Sequence, residues 1–169
     1  MSARGSLPFD PIVEARRQWR DHGWVDVADG MAAVTSVTRV AQILLNRVDH
    51  VLKPFALTFA RFEVLELLAF SRSGALPLGK VGARLQVHPT SVTSAVDRLE
   101  TQGFVRRTPH PSDGRATLAE LTDAGRAVVQ DATAALNREV FADLGLEPDE
   151  LRTLFSLLEK MRRAAGDFA

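Results

Sequence analysis

Apolar positions recur every three or four residues along most of this chain, and every second residue over one short stretch. From about Val27 to Leu52 the series Met31, Val34, Val37, Val40, Ala41, Leu44, Leu45, Val48 and Leu52 predicts one face of a long helix, which Pro54 ends. Ahead of it, Pro8 and Pro11 lead into a short helix over Ile12–His22. There Ile12, Val13, Ala15 and Trp19 are available for packing, and Gly23 is the stop. Thr58 can cap a third helix whose apolar face is Phe59, Phe62, Leu65, Leu68 and Ala69, up to Ser71. Leu76-Pro77-Leu78 is too short for more than a strand fragment. Two closely spaced helices follow, Gly79–Leu85 and Pro89–Gln102, separated by the tight turn Gln86-Val87-His88.

The period then changes to two. Phe104–Thr108 and Ala116–Leu121 alternate as two strands, joined by the turn formers from Pro109 to Arg115. Thr122 caps a long helix expected to reach about Leu144, with Gly145 as its end. The last helix runs from Pro148 to about Ala165. Asp149 and Glu150 sit at the positive end of its dipole, and Lys160, Arg162 and Arg163 at the negative end. The expected fold is mainly α with one small β hairpin: helix, turn, helix, then a β wing, flanked by N- and C-terminal helices. Its divisions are 1–55 (N-terminal helices, dimerisation and a possible ligand site), 56–122 (the winged helix-turn-helix) and 123–169 (C-terminal dimerisation helices).

Composition is that of an ordinary globular chain, 46% hydrophobic and 25% charged over 169 residues, and there is no cysteine. That excludes disulfides, thiolate metal sites, cysteine nucleophiles and thiol redox sensing. Residues 1–10 lack a basic-then-apolar leader and no apolar run approaches membrane-spanning length, so a cytoplasmic protein is expected. The net charge is zero but segregated. Residues 76–117 carry six basic and three acidic side chains (+3), residues 118–169 six and ten (−4), and residues 1–75 nine and eight (+1). A local basic segment is what phosphate contacts need.

That segment coincides with the helix-turn-helix and hairpin. In the second helix Pro89 occupies the first turn, Val92, Ala95, Val96 and Leu99 form the buried face, and Thr90, Ser91, Thr93 and Ser94 are left on the outward N-terminal surface. Small hydroxyl side chains let such a helix approach base edges closely. Arg98, further along, is placed for a phosphate. The wing adds Arg106 and Arg107 on its first strand and Arg115 past the turn, where an arginine can enter the minor groove, with Asp113 to orient it. The expected DNA-binding residues are therefore Pro89, Thr90, Ser91, Thr93, Ser94, Arg98, Arg106, Arg107 and Arg115. A winged helix that serves only protein assembly is the alternative.

The stretch His-Pro-Thr-Ser-Val-Thr-Ser-Ala-Val-Asp-Arg-Leu-Glu-Thr-Gln-Gly-Phe-Val-Arg-Arg (88–107), with Pro-Ser-Asp-Gly-Arg-Ala (111–116) and Leu-Thr-Asp-Ala-Gly-Arg (121–126), resembles the MarR family of bacterial regulators. The resemblance implies a dimer with intertwined terminal helices, a palindromic operator, repression, and release when a small, often aromatic, anion binds. It also places Asp113-Gly114-Arg115 at the wing tip. Residues 10–24 exceed the minimal family pattern and are similar to the tryptophan-bearing extra helix of a urate-responsive subgroup. That likeness implies ligand candidates Trp19 and Glu63. Apart from it, His22, His50, Arg16 and Arg20 are candidate anion contacts, with a solvated helix residue as the alternative for each. The arginine of that subgroup's recognition helix corresponds to Ser94 here, and Trp19 and Trp24 equally suit a purely structural anchor.

Dimerisation is also expected from the chain itself. Val27–Leu52, Ala124–Leu144 and Leu151–Met161 hold more apolar surface than so small a domain can cover, and Leu151, Leu154, Phe155, Leu157, Leu158 and Met161 nearly encircle their helix. Two-fold symmetry would place two recognition helices about 34 Å apart, one DNA turn. No enzyme is expected. His22, His50, His88 and His110 fall in separate segments without metal-ligand spacing, and no phosphate loop or Gly-x-Ser-x-Gly occurs. No cofactor or metal is expected; the expected partners are double-stranded DNA, a second copy and a small aromatic or anionic effector, with no membrane.

Overall fold

A computed structural model of the chain describes residues 7–168, with Gly114 and Arg115 described through their backbone alone. The order is α1 (Pro11–Asp21), α2 (Val25–Leu52), a 3-10 turn (Lys53–Phe55), α3 (Phe59–Ala69), β1 (Ala75–Pro77), α4 (Leu78–Leu85), α5 (Pro89–Thr101), β2 (Val105–His110), β3 (Asp113–Leu121), α6 (Asp123–Leu136), a π-helical turn (Asn137–Phe141) and α7 (Pro148–Ala164). Helix accounts for 69% of the described residues. Two compact units divide it, Met1–His50 and Val51–Ala169.

Within the first unit α1 lies against the start of α2. Asp10 caps α1 by accepting from the Ile12 N–H at 2.8 Å. Arg16 and Arg20 both reach Asp29 of α2, at 2.6 and 3.1 Å, and Trp19 meets Trp24 edge to face with ring centroids 5.1 Å apart. The ion pairs are largely exposed and Trp19 is half-buried, so the attachment is polar and aromatic near the surface and leaves most of α2's apolar residues uncovered: Val34, Val37, Val40, Ile43 and Leu45 are all exposed.

The second unit holds a close-packed core. Phe62, Val64, Leu65 and Leu68 of α3, Val81 of α4, and Val92, Val96 and Leu99 of α5 are buried together with Val105, Ala119 and Leu121 of the sheet and Val129, Ala132, Leu136 and Val140 beyond it. Burying each valine, leucine or phenylalanine there contributes about 1.5–3 kcal/mol. α3 packs on α5, α6 and the sheet, and α4 packs on α5. Two expected caps are present: Thr58 accepts from Arg61 N–H, and Thr122 from Gly125 N–H at 3.0 Å.

Three features differ from the sequence reading. The hairpin is part of a three-stranded antiparallel sheet of order β1-β3-β2, in which Leu76 pairs with Ala119. This third strand depends on pairing across more than forty residues, which no local pattern encodes. The wing strands are also longer than expected, running to His110 and from Asp113, so only Pro111 and Ser112 turn the chain. Pro109 can lie in β2 because β2 is an edge strand, and the ladder shifts register beside it. Finally, α6 ends at Leu136 and gives way to a π turn in which Ala142 N–H donates to Asn137 O at 2.9 Å, short of Leu144.

The junction of wing and α6 explains the Leu-Thr-Asp-Ala-Gly-Arg stretch. Thr122 Oγ1 donates to Gly103 O at 2.7 Å while capping α6, and Thr122 N–H donates to Phe104 O at 3.1 Å. A Cβ on Gly125 would stand 2.0 Å from Phe104 O, so no larger residue fits there. Gly103, with φ +77°, makes the left-handed turn from α5 into β2.

Candidate nucleic-acid interface

α5 presents two chemically distinct faces. Val92, Val96 and Leu99 are at most 2% exposed, whereas Thr90, Ser91, Thr93, Ser94 and Arg98 are all exposed, as is Pro89 in the first turn. The periodicity of 3.6 residues creates the division: 92, 96 and 99 fall on one side of the helix and 90, 91, 94 and 98 on the other. Thr93 Oγ1 donates to Pro89 O at 3.1 Å, so its hydroxyl proton serves the helix. Among the described residues none holds the hydroxyls of Thr90, Ser91 or Ser94, which face solvent with donor and acceptor both available.

The start of α5 is fixed by His88, not by a hydroxyl. Its Nδ1 accepts from Thr90 N–H at 3.2 Å. Ahead of it, Gln86 makes the left-handed turn between α4 and α5 at φ +54°, and its side-chain amide donates to the carbonyl of Asp167. From the other end, Gln102 bridges α5 to α3. It accepts from Arg61 Nη1 at 3.0 Å and donates to Ala56 O at 2.9 Å.

The arginines separate into different environments. Arg98 is exposed, and among the described residues no carboxylate pairs with it. Arg107 is turned back onto α5: its guanidinium pairs with Asp97 at 2.5 Å and Glu100 at 2.6 Å, and its backbone N–H donates to Glu100 at 3.1 Å. Partial burial works against its charge, but hydrogen bonds to the two carboxylates outweigh this and hold its pKa above the ordinary arginine value. Arg106 lies across the strand from Glu120 and pairs with it at 2.5 Å. That hydrogen bond raises the arginine and lowers the glutamate. In the sequence all three belong alike to the basic segment, since charge shows in a sequence and ion partners do not. The side chain of Arg115 lies outside the described residues; its backbone belongs to β3, two residues after Asp113, which is exposed beside the turn.

The ligand candidates fall in different units. Trp19 is half-buried on α1 and lines a groove of about 480 Å³ with Pro11, Ile12, Ala15, Met31, Thr35 and Arg39. His22 stacks on Trp24 at 5.8 Å, with its Nδ1 2.8 Å from Gln18 O. His50 is exposed near the end of α2. Glu63, on α3 in the second unit, is half-buried, and burial raises its carboxyl above the ordinary glutamate value. Among the described residues no cluster of His, Asp and Glu could hold a metal ion, and no helix is long and apolar enough to cross a membrane.

Known proteins share this arrangement. The model of the MarR family matches residues 57–117, from just beyond the 3-10 turn into β3 of the wing. The multiple antibiotic resistance protein MarR of Escherichia coli is 32% identical over 116 residues, covering 67% of this chain and 78% of that protein. The structure of Sco5413, a MarR family transcriptional regulator from Streptomyces coelicolor, is 51% identical and superposes with a TM-score of 0.75, covering 83% of this chain and 97% of that one. Sco3205, a MarR family regulator of the same organism in complex with DNA, gives 0.69 at 26% identity, covering 78% and 85%. CouR from Rhodococcus jostii, bound to p-coumaroyl-CoA, gives 0.68 at 26% identity, covering 86% and 95%. With its helix-turn-helix, its wing and this likeness over most of its length, the chain belongs to the MarR family of transcriptional regulators.

Proposed function

We propose that this protein is a transcriptional regulator that binds double-stranded DNA as a homodimer and is modulated by a small molecule. α5 enters the major groove by its N-terminal half, and the β2–β3 hairpin reaches the flanking backbone or minor groove. One observation carries the reading: the solvent face of α5 offers the hydroxyls of Thr90, Ser91 and Ser94 beside an exposed Arg98, while its opposite face is locked in the core. Small side chains there allow close approach to base edges, and Arg98 supplies a phosphate contact. Arg115 is assigned to the minor groove with Asp113 beside it. Arg106 and Arg107 act mainly through the pairs that shape the wing. The complex of Sco3205 with DNA supports this mode of action.

The dimer rests on uncovered apolar faces. In α7, Leu154, Phe155, Leu157 and Met161 are 39–63% exposed, and the apolar residues of α2 are similarly open. Exposed patches of this kind on a soluble chain mark association surfaces. The proposed organisation is accordingly N-terminal helices over 1–55, the DNA-binding region over 56–122 and dimerisation helices over 123–169, acting in the cytoplasm. Two-fold symmetry makes the operator palindromic, and occupancy of a promoter makes the effect repression.

The effector reading is supported by CouR with its bound p-coumaroyl-CoA, and by the α1–α2 groove, whose apolar walls, Trp19 indole and Arg39 guanidinium suit an aromatic anion. Glu63, His22 and His50 do not line that groove and are assigned to effector recognition as separate candidates. Such a ligand must bind the DNA-free state more tightly than the DNA-bound one. Selection of bound sequences from a random duplex pool tests the function. Enrichment of a palindrome with half-sites one helical turn apart is expected, and recovery of no sequence above background would contradict the reading.

A further inference from the structure

Two kinds of contact seat α5, the helix assigned to the major groove. Val92, Val96 and Leu99 rest in the core, and aliphatic packing of this sort is non-directional. At the C-terminal end the seat is polar. Gln102, the half-buried cap residue of α5, accepts from Arg61 Nη1 at 3.0 Å and donates to Ala56 O at 2.9 Å. A guanidinium can only donate and a carbonyl can only accept, so the amide has one orientation between them and does not flip.

Both partners are themselves held. Ala56 follows the 3-10 turn in a left-handed conformation, φ +54°, and its N–H donates to Lys53 O at 3.1 Å. Arg61, half-buried in the first turn of α3, also donates through Nε at 3.3 Å to Thr58 Oγ1, the hydroxyl that caps that helix. Among the described residues no carboxylate pairs with Arg61, so its guanidinium serves Thr58 and Gln102. One side chain at the end of α5 thus meets groups 46 and 41 positions away in the sequence.

We propose that Gln102 is a positioning residue that touches no DNA yet sets sequence preference, a role that rests on the DNA-binding reading above. It fixes the seat of α5 on α3 and on the turn before α3, and thereby the placement of Thr90, Ser91 and Ser94 against base edges. α5 has 13 residues and is about 20 Å long, so a tilt about its packed middle moves both ends alike. Contacts that read base edges tolerate about 0.5 Å of misplacement. Phosphate contacts through long, flexible arginine side chains carry no base information and follow larger shifts. Losing the directional contact at Gln102 therefore costs discrimination between sequences and spares non-specific affinity.

The test is fluorescence anisotropy of the full chain on two labelled duplexes of equal length, one the sequence enriched by selection from the random pool, the other unselected. Gln102→Met keeps the length of the side chain and makes neither hydrogen bond. Its affinity for the enriched duplex should fall about tenfold while that for the unselected duplex stays within about twofold. Gln102→Glu still accepts from Arg61 but cannot donate to Ala56 O, and should lose most of the affinity ratio as well. Arg61→Met frees the same amide from outside α5 and should lower the ratio in the same direction, which keeps the test decisive if a Gln102 variant fails to fold. A parallel loss on both duplexes, with or without a lowered thermal midpoint, would leave Gln102 a support of the fold alone and overturn the proposal. An unchanged ratio in any of the three variants would overturn it too. A wild type that binds neither duplex would overturn the DNA-binding reading itself.

Discussion

Arg107 and Glu100 are joined twice, through the backbone N–H at 3.1 Å and through the guanidinium at 2.6 Å. With Asp97 on the same guanidinium, the first wing strand is clamped onto the helix assigned to the major groove. Two elements proposed to meet one duplex together are thus held in a fixed relation, which is the preorganisation that limits the entropic cost of binding.

Arg107→Met should loosen that relation. A partly buried arginine with two carboxylate partners contributes about 1 kcal/mol to stability, since its partners remain substantially exposed. Chemical denaturation should show that loss. Arg98→Met should leave stability unchanged and instead weaken DNA binding for all sequences, lowering the salt slope by about one per protomer. The two arginines lie nine positions apart, and their variants should separate cleanly in these assays.

Gly125→Ala should destabilise the second unit by about 3 kcal/mol. The added methyl would press on the Phe104 carbonyl, which is backbone and cannot swing away as a side chain can. Thermal unfolding reads this directly. A shift of less than a degree or two would mean that the contact relaxes freely.

Acid should release α1 from α2 before the second unit unfolds. Hydrogen bonding to Arg16 holds the Asp29 carboxyl of α2 below the ordinary aspartate value, whereas Glu14, pushed down to about 2 chiefly by Arg17, pairs within α1 and steadies only that helix. Groups with depressed folded values stabilise above the usual carboxylate range, and that contribution disappears as pH falls toward 2. Both tryptophans of the chain lie at this junction, so their emission should change between about pH 4 and 2. Asp29→Asn should show the released signal already at neutral pH.

Phe155→Glu should leave the fold of the chain unchanged, because Phe155 is 63% exposed, yet shift the protein to monomers. Sedimentation at micromolar concentration checks this. A dimer of wild-type stability would place the interface elsewhere.

Much of this was legible in the sequence because the signals are local. The apolar spacing of Val92, Val96 and Leu99, the proline at position 89 and the threonines at 58 and 122 each act within a turn of themselves, and each is found as read. What escaped depends on partners distant along the chain. The strand fragment expected at Leu76–Leu78 is present as β1, but its pairing of Leu76 with Ala119 is not legible locally, and Arg107 is turned inward because Asp97 and Glu100 come within 2.6 Å. The cap formed by His88 depends on which ring nitrogen meets the backbone, and residue identity does not specify that. Candidate DNA contacts were therefore legible as a set, whereas the division between contacting and clamping arginines was not.

The central claim is that this chain holds duplex DNA by phosphate contacts through α5 and the wing. Its most direct measurement is the affinity of the full chain for a labelled duplex between 50 and 300 mM salt at pH 7.5, with the stoichiometry at saturation. The expected result is two protomers per duplex and an affinity that falls by about a thousandfold or more over a fourfold rise in salt. Affinity that stays level across that range, or no binding at its low end, would contradict the account.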